Sequence, residues 1–413
     1  MSAGSRGSSI LLRALDLGFN VGSIVLFCGG LRNILGTRTY GSTEDSALVK
    51  LLFATIYLVS LLKVLARWRE FTGAAFRIRR FWAIALLVLA STAWSVLPST
   101  TFLRAACFVA GTFFAMQLGM YYPPVRQLKL VAATLSVAGV ASLIFAVGLP
   151  QYGVMHTGEL AGTWCGIFTQ KNELGRAMIL NSLVLLVLWK SKHVASRYCV
   201  AGLLFSAILI VLARSLTSLV ITGFLIACWP AMRHSQRVTA KTAVAIFMGL
   251  LMMGLLLALV GYAFRPEILG LMGKRADLTG RTRIWEFALE KLGDRPILGF
   301  GYGSFWTWAV RKYGNLQWLP TEAHNGYLEL CLGFGMLGGI AILSHYIYSI
   351  RAYFQFARAA KTPESLWPVL YVIFLLSYNL AEACLVKHNN FVWILEVAIA
   401  VGLPSADYGA VES

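Results

Sequence analysis

Residues 273–306 read GKRADLTGRTRIWEFALEKLGDRPILGFGYGSFW, and residues 320–330 read PTEAHNGYLEL. Both belong to the stretch Arg265–Asn325, the long segment of this chain that lacks membrane-grade apolar composition. It gathers Arg265, Lys274, Arg275, Arg281, Arg283, Arg295, Arg311 and Lys312 together with Trp285, Trp306, Trp308 and Trp318, then runs into apolar sequence from Gly326. The flanking sequence reads as apolar scaffold. The insert therefore decides the fold: many membrane helices carrying one long polar loop, with chemistry expected on the loop.

Of 413 residues, 58% are hydrophobic and 13% charged, and the mean hydropathy is +0.69. A water-soluble domain of that composition could not cover its surface with polar groups. Successive apolar runs approach the roughly 20 residues that cross a bilayer as helix, in which the backbone satisfies its own hydrogen bonds. Spans are expected near 15–34, 47–65, 81–97, 101–120, 129–149, 173–189, 198–212, 216–231, 242–263, 325–349, 366–386 and 390–404. The expectation is one all-α polytopic domain over 1–413, about twelve helices embedded in the lipid bilayer, with the loop at 264–324.

The net charge of +18 would suit nucleic acid, but the cations follow membrane topology instead. Arg67, Arg69, Arg77, Arg79 and Arg80 share one connection, and Arg126, Lys129, Lys190, Lys192, Arg197, Arg233, Arg237, Lys241, Arg351, Arg358 and Lys361 fill alternate ones. The positive-inside rule puts these connections and both termini in the cytoplasm, and the 264–324 loop outside. A basic surface on that outer loop needs another reason, and an anionic ligand is the simplest. The first apolar run follows Arg6 and Arg13 without an A-x-A site, so it is expected to stay as an anchor. Six cysteines lie in or beside spans as small hydrophobes, Cys165 is expected to be exposed, and no Cys/His spacing suits zinc.

Three polar stretches carry the candidate residues. The segment 151–178, QYGVMHTGELAGTWCGIFTQKNELGRAM, is rich in glycine, and its Lys171, Asn172 and Arg176 open a helix whose amide donors and dipole favour an anion. Helix capping by Thr169 or Asn172 is the plainer reading. In ARSLTS, residues 213–218, Arg214 sits at a tight hairpin, where it either ends a helix or forks onto a phosphate. Arg104, near the outer end of a span, either snorkels or faces a cavity.

In the long insert, residues 281–292 form an amphipathic pattern with Ile284, Phe287, Ala288 and Leu292 on one face, and a second short helix is expected from Ser304. Gly299, Gly301 and Gly303 between them match neither a phosphate-binding Walker loop nor a Rossmann fingerprint, so turn formation is their expected role. His324 ends the insert beside Glu322 and Asn325. An imidazole among guanidiniums is favoured in its neutral, proton-accepting form.

Taken in order, GIFTQKNELG, ARSLTS, TGRTRIWEFAL with PILGFGYGSF, and EAHNGYLELCLGFGMLGG resemble the O-antigen ligase and polymerase superfamily over roughly 155–340. The resemblance implies a multispan glycosyltransferase architecture like that of the GT-C class, with an active site on the outer face of the bacterial inner membrane. It implies transfer of O-antigen from undecaprenyl diphosphate to the outer-core sugar of lipid A-core, inverting, without metal, nucleotide or other cofactor. Residue by residue, the hairpin arginine of the family falls on Arg214, the loop arginine on Arg281 and the loop-ending histidine on His324, while Lys171 and Asn172 match polar residues of the earlier loop. On that basis His324, Arg281 and Arg214 are the expected catalytic residues, and Lys171, Asn172, Arg176, Arg283, Asn325 and Glu322 the expected diphosphate- and glycan-binding ones. A repeat-unit polymerase, a protein O-oligosaccharyltransferase and a transporter of lipid-linked sugars remain the alternatives.

Overall fold

The computed structural model describes residues 3–36, 46–156, 160–263, 281–314 and 319–403. Arg265, Lys274, Arg275 and Trp318 of the insert lie outside them. Among the described residues the longer helices are α1 (Ala3–Phe27), α2 (Ala47–Ala66), α3 (Trp68–Arg77), α4 (Arg79–Ala90), α5 (Pro98–Tyr121), α6 (Pro124–Gly148), α7 (Lys171–Lys190) and α8 (Ser196–Leu212). They continue with α9 (Leu216–Ser235), α10 (Ala240–Ala263), α11 (Arg281–Asp294), α12 (Phe305–Lys312), α13 (Gly326–Ala360), α14 (Trp367–Tyr378) and α15 (Phe391–Gly402). A single bridge between Val154 and Trp164 is the extended pairing seen among these residues.

Among the described residues six helices, α2, α5, α6, α7, α9 and α13, are long and apolar enough to cross a bilayer by themselves, against about twelve expected crossings. Helices α8, α14 and α15 are apolar but shorter. The centre of the bundle is α7, α14 and α15: every residue from Phe391 to Val401 is buried, α15 packs along α5, and α7 packs along α6, α8 and α9. The basic connections gather at one end. There Tyr121 donates to the Lys63 carbonyl at 3.0 Å, Arg77 to the Val401 carbonyl at 3.3 Å, and Arg358 to the Val238 carbonyl at 2.9 Å. The opposite end carries the starts of α7, α9 and α13 and the insert.

The described part of the insert, 281–314 and 319–325, is packed against the bundle. Ile284, Phe287 and Ala288 of α11 and Phe305, Trp306 and Ala309 of α12 form a small core with Phe300, Ala323 and Leu332, so the two helices lie on the first half of α13. Gly299, Gly301 and Gly303 all have positive φ, and a Cβ on Gly299 would meet the Leu332 carbonyl at 2.6 Å. Glycine there lets the connecting strap run against α13. Arg104 donates to the Gly303 carbonyl and, at 3.4 Å, to Thr307, pinning that strap.

Several expected boundaries move, each for a local reason. Helix α1 stops at Phe27, short of residue 34, because Gly29 turns at φ +92° and the Glu173 carboxylate fills the space a Cβ would need. Helix α13 runs on to Ala360 with a break at Gly335, whose φ of +66° lets the Ile297 carbonyl approach to 2.1 Å of a Cβ position. The apolar run 366–386 is not one span. Helix α14 ends at Tyr378, where the Asn379 side chain accepts from the Cys384 and Leu385 amides at 2.8 and 3.0 Å and folds residues 379–390 into a buried irregular segment. Cys165 is buried, its thiol 3.5 Å from the Tyr152 carbonyl, rather than exposed.

Candidate active site

Four stretches distant in sequence meet at the end of the bundle that carries the insert: the first turn of α7, the first residue of α11, the turn before α13 and the buried segment 379–390. The turn is held first. Asn325 caps α13, its side-chain oxygen accepting from the Tyr327 and Leu328 amides at 3.0 and 3.1 Å. Glu329 reaches back from within the helix to accept from the Ala323 amide and from the Trp306 indole, both at 3.0 Å. Trp285 of α11 donates to the Ala323 carbonyl at 2.9 Å. His324 is thereby fixed at a left-handed φ of 49°, a conformation that persists only where the surroundings impose it.

Gly326 decides what lies beside it. Its amide donates to the Asn379 carbonyl at 2.8 Å, and a Cβ would stand 2.1 Å from the Asn379 side-chain oxygen. No other residue would let the 379–390 segment press against the start of α13 without moving one of them.

That contact delivers Glu382, which is 6% exposed. Arg281 donates to Glu382 Oε1 at 2.7 Å and also to the Ala381 carbonyl. Asn172 donates to the same Oε1 at 2.7 Å, and Tyr378 fixes the Asn172 backbone by donating to its carbonyl at 3.1 Å. The other carboxylate oxygen, Oε2, lies 3.4 Å from His324 Nδ1. Glu322 Oε1 is 3.6 Å from the same ring nitrogen, and Lys387 pairs with Glu322 through Oε2. Burial pushes the Glu322 carboxyl up, but the Lys387 ammonium and then His324 outweigh it and hold it below the ordinary value. For Lys387, burial pushes downward and Glu322 more than reverses that, so both groups are charged near neutrality.

His324 therefore sits between two carboxylates, not among guanidiniums. This corrects the electrostatic expectation for it, because the guanidinium nearest the cluster is spent on Glu382. A carboxylate on one ring nitrogen fixes the tautomer and leaves the other nitrogen for a proton-accepting role. The ligand atoms of Glu322, His324 and Glu382 all lie within 4.8 Å of one another, a constellation able to take a cation. Arg281 and Lys387 already balance the two carboxylates, so a dication would have to displace them.

The remaining expected site residues fall around this centre. Lys171, one position before Asn172, is buried and donates to the Arg214 carbonyl at 3.2 Å, which ties the α8–α9 hairpin to the same first turn of α7. The Arg214 residue is exposed, with φ 47°. Arg176, a turn further on, donates to the Cys28 carbonyl at 3.4 Å and thus faces the start of the chain. Arg283 is exposed, and the Asn325 carboxamide is taken up by its capping role. Sequence reasoning missed Glu382 and Lys387. The signal available was polar interruption of the last apolar stretch, LSYNLAEACLVKHNN at 376–390, in which one glutamate is followed by Lys387, His388, Asn389 and Asn390.

A multipass helical membrane protein with a charge-balanced histidine–carboxylate–arginine cluster at one end is the class this geometry defines. Residues 201–343 match the model of the family described as O-Antigen ligase. The chain is also 24% identical over 313 residues to the exopolysaccharide production protein ExoQ of Rhizobium meliloti (strain 1021), an alignment covering 70% of this chain and 67% of that protein. Over residues 201–343 the chain is thus similar to the O-antigen ligase family, and the two likenesses together support a function of the ligase or polymerase type. The family segment takes in Arg214, Arg281, Glu322 and His324, whereas Asn172, Glu382 and Lys387 lie outside it.

Proposed function

We propose that this protein transfers O-antigen from undecaprenyl diphosphate to the outer-core sugar of lipid A-core at the periplasmic face of the inner membrane. The observation that carries the proposal is the chain of contacts Arg281–Glu382–His324, at 2.7 and 3.4 Å, joined through Asn172 to the helix start that also bears Lys171. In this reading Glu382 orients His324, whose Nε2 takes the proton of the acceptor hydroxyl. The hydroxyl oxygen attacks the anomeric carbon, the bond from that carbon to the diphosphate breaks, and the configuration inverts. Charge released onto the diphosphate is offset by Arg214, Lys171 and those donors of Arg281 not occupied by Glu382 and Ala381; a guanidinium has five N–H groups in all. Asn172, Arg176, Arg283, Glu322 and Asn325 line or support the approach.

A second reading is supported by the ExoQ likeness: the acceptor is the end of another lipid-linked glycan, so that the product is a longer polymer. One purified lipid-diphosphate donor, offered either lipid A-core or a second donor molecule, separates them. Polymer appearing on lipid A-core supports the ligase, and chain growth on the second donor replaces it with the polymerase. His324→Ala should abolish either product; unimpaired transfer by that variant overturns the role of the histidine.

A further inference from the structure

A groove of about 370 Å³ opens between α1 and α6 at the end of the bundle remote from the candidate site. Its walls are Leu17 and Val21 on one side and Leu130, Ala133, Thr134 and Val137 on the other, and Arg126 and Lys129 stand at its mouth. Leu17, Ala133 and Val137 are exposed, so the groove faces the surrounding medium rather than the bundle interior. Tyr122 also lines it, and the Thr134 hydroxyl on its wall is buried without a hydrogen-bond partner.

Three features fix the occupant. Arg126 and Lys129 are exposed, one helical turn apart, and among the described residues neither has a carboxylate within ion-pair distance. The nearby acid, Asp16, is committed to Lys63 and accepts from Tyr122 at 2.8 Å, so it does not neutralise them. From residue 126 to residue 137 the helix rises about 16 Å, which matches the roughly 15 Å depth of one leaflet's hydrocarbon. A molecule with one anionic head and a leaflet-length chain fits; a much longer polyprenyl chain would overrun the groove.

We propose that this groove is a binding site for an anionic glycerophospholipid, with the phosphate on Arg126 and Lys129 and one acyl chain along Leu130, Ala133 and Val137 against Leu17 and Val21. It lies at the basic end, where an anionic lipid surface attracts each neighbouring cation. The inference does not rest on the transfer reaction and survives or fails independently of it.

The test is native mass spectrometry of the full-length protein released from nanodiscs containing equal amounts of phosphatidylglycerol and phosphatidylethanolamine. Wild type should retain phosphatidylglycerol preferentially. Arg126→Gln with Lys129→Gln should lose that preference, by about 25-fold if each charge contributes about fivefold. Ala133→Phe, which fills the groove while leaving both cations, should shed lipid of either kind from this site. Equal phosphatidylglycerol retention in wild type and the double glutamine variant overturns the proposal, as does retention unchanged by Ala133→Phe. Monodisperse elution of each variant, at the wild-type volume, keeps misfolding from imitating either result.

Discussion

Replacing Glu382 by Gln tests the site at its least anticipated residue. The side chain keeps its size, so packing is preserved while the negative charge is lost. Arg281, only 18% exposed at its side chain, then faces a neutral amide whose single oxygen can still accept from both Arg281 and Asn172 as Oε1 does, while its NH2 takes the place of Oε2 beside His324. Leaving one partner of a buried ion pair uncompensated costs about 3–5 kcal/mol, and the value here should fall at the lower end because Arg281 keeps the Ala381 carbonyl. On activity, Gln can present an N–H to His324 Nδ1 and select the wrong tautomer, so general-base help worth about 10²–10⁴ in rate is at stake. The assay is single-turnover glycan transfer by the purified chain in detergent, with thermal unfolding followed in the same preparation. Glu382→Gln should lower the transfer rate at least 10²-fold with little change in donor binding. Adding Arg281→Gln should recover part of the stability but none of the rate, since it removes the stranded charge without restoring the carboxylate. Full transfer by Glu382→Gln, or stability effects that add within about 0.5 kcal/mol, would refute the coupling.

Three further outcomes follow from the same geometry. Gly326→Ala places a methyl 2.1 Å from the Asn379 oxygen, so it should destabilise by about 1–3 kcal/mol and disconnect Glu382 from His324; a wild-type melting temperature with wild-type transfer would show that the contact is dispensable. The His388 imidazole is pushed from 6.5 down to about 3, by burial first and then by Arg104, Lys387 and Arg32, so the unfolded chain binds the proton first on acidification. Stability should therefore fall as pH drops from about 6.5 towards about 3, and His388→Gln should flatten that part of the melting-temperature profile; an unchanged slope would assign it to other groups. Transfer should persist in EDTA, because Arg281 and Lys387 already neutralise the carboxylates; loss reversed by one added divalent metal would instead put a cation on Glu322, His324 and Glu382.

The sequence alone determined the membrane class, the helical build and the polar insert, because hydropathy and the period of an amphipathic helix are properties of neighbours in the chain. It also singled out His324, Asn172 and Glu322, each standing where a polar stretch meets an apolar run, and Arg281 within the insert through the family resemblance. It could not rank them by partner. The stretch 366–386 has the composition of a span, and nothing local in it says that Asn379 will close a turn and carry Glu382 back to a histidine 58 residues earlier. The tertiary structure decided that, through Gly326, whose missing side chain admits the segment, and through Arg281, whose guanidinium holds the carboxylate from 101 residues away. Contacts over such separations are selected by packing of the whole bundle, which repays their loop-closure entropy only once the helices are in place. For that reason the histidine was legible in the chain and the charge beside it was not.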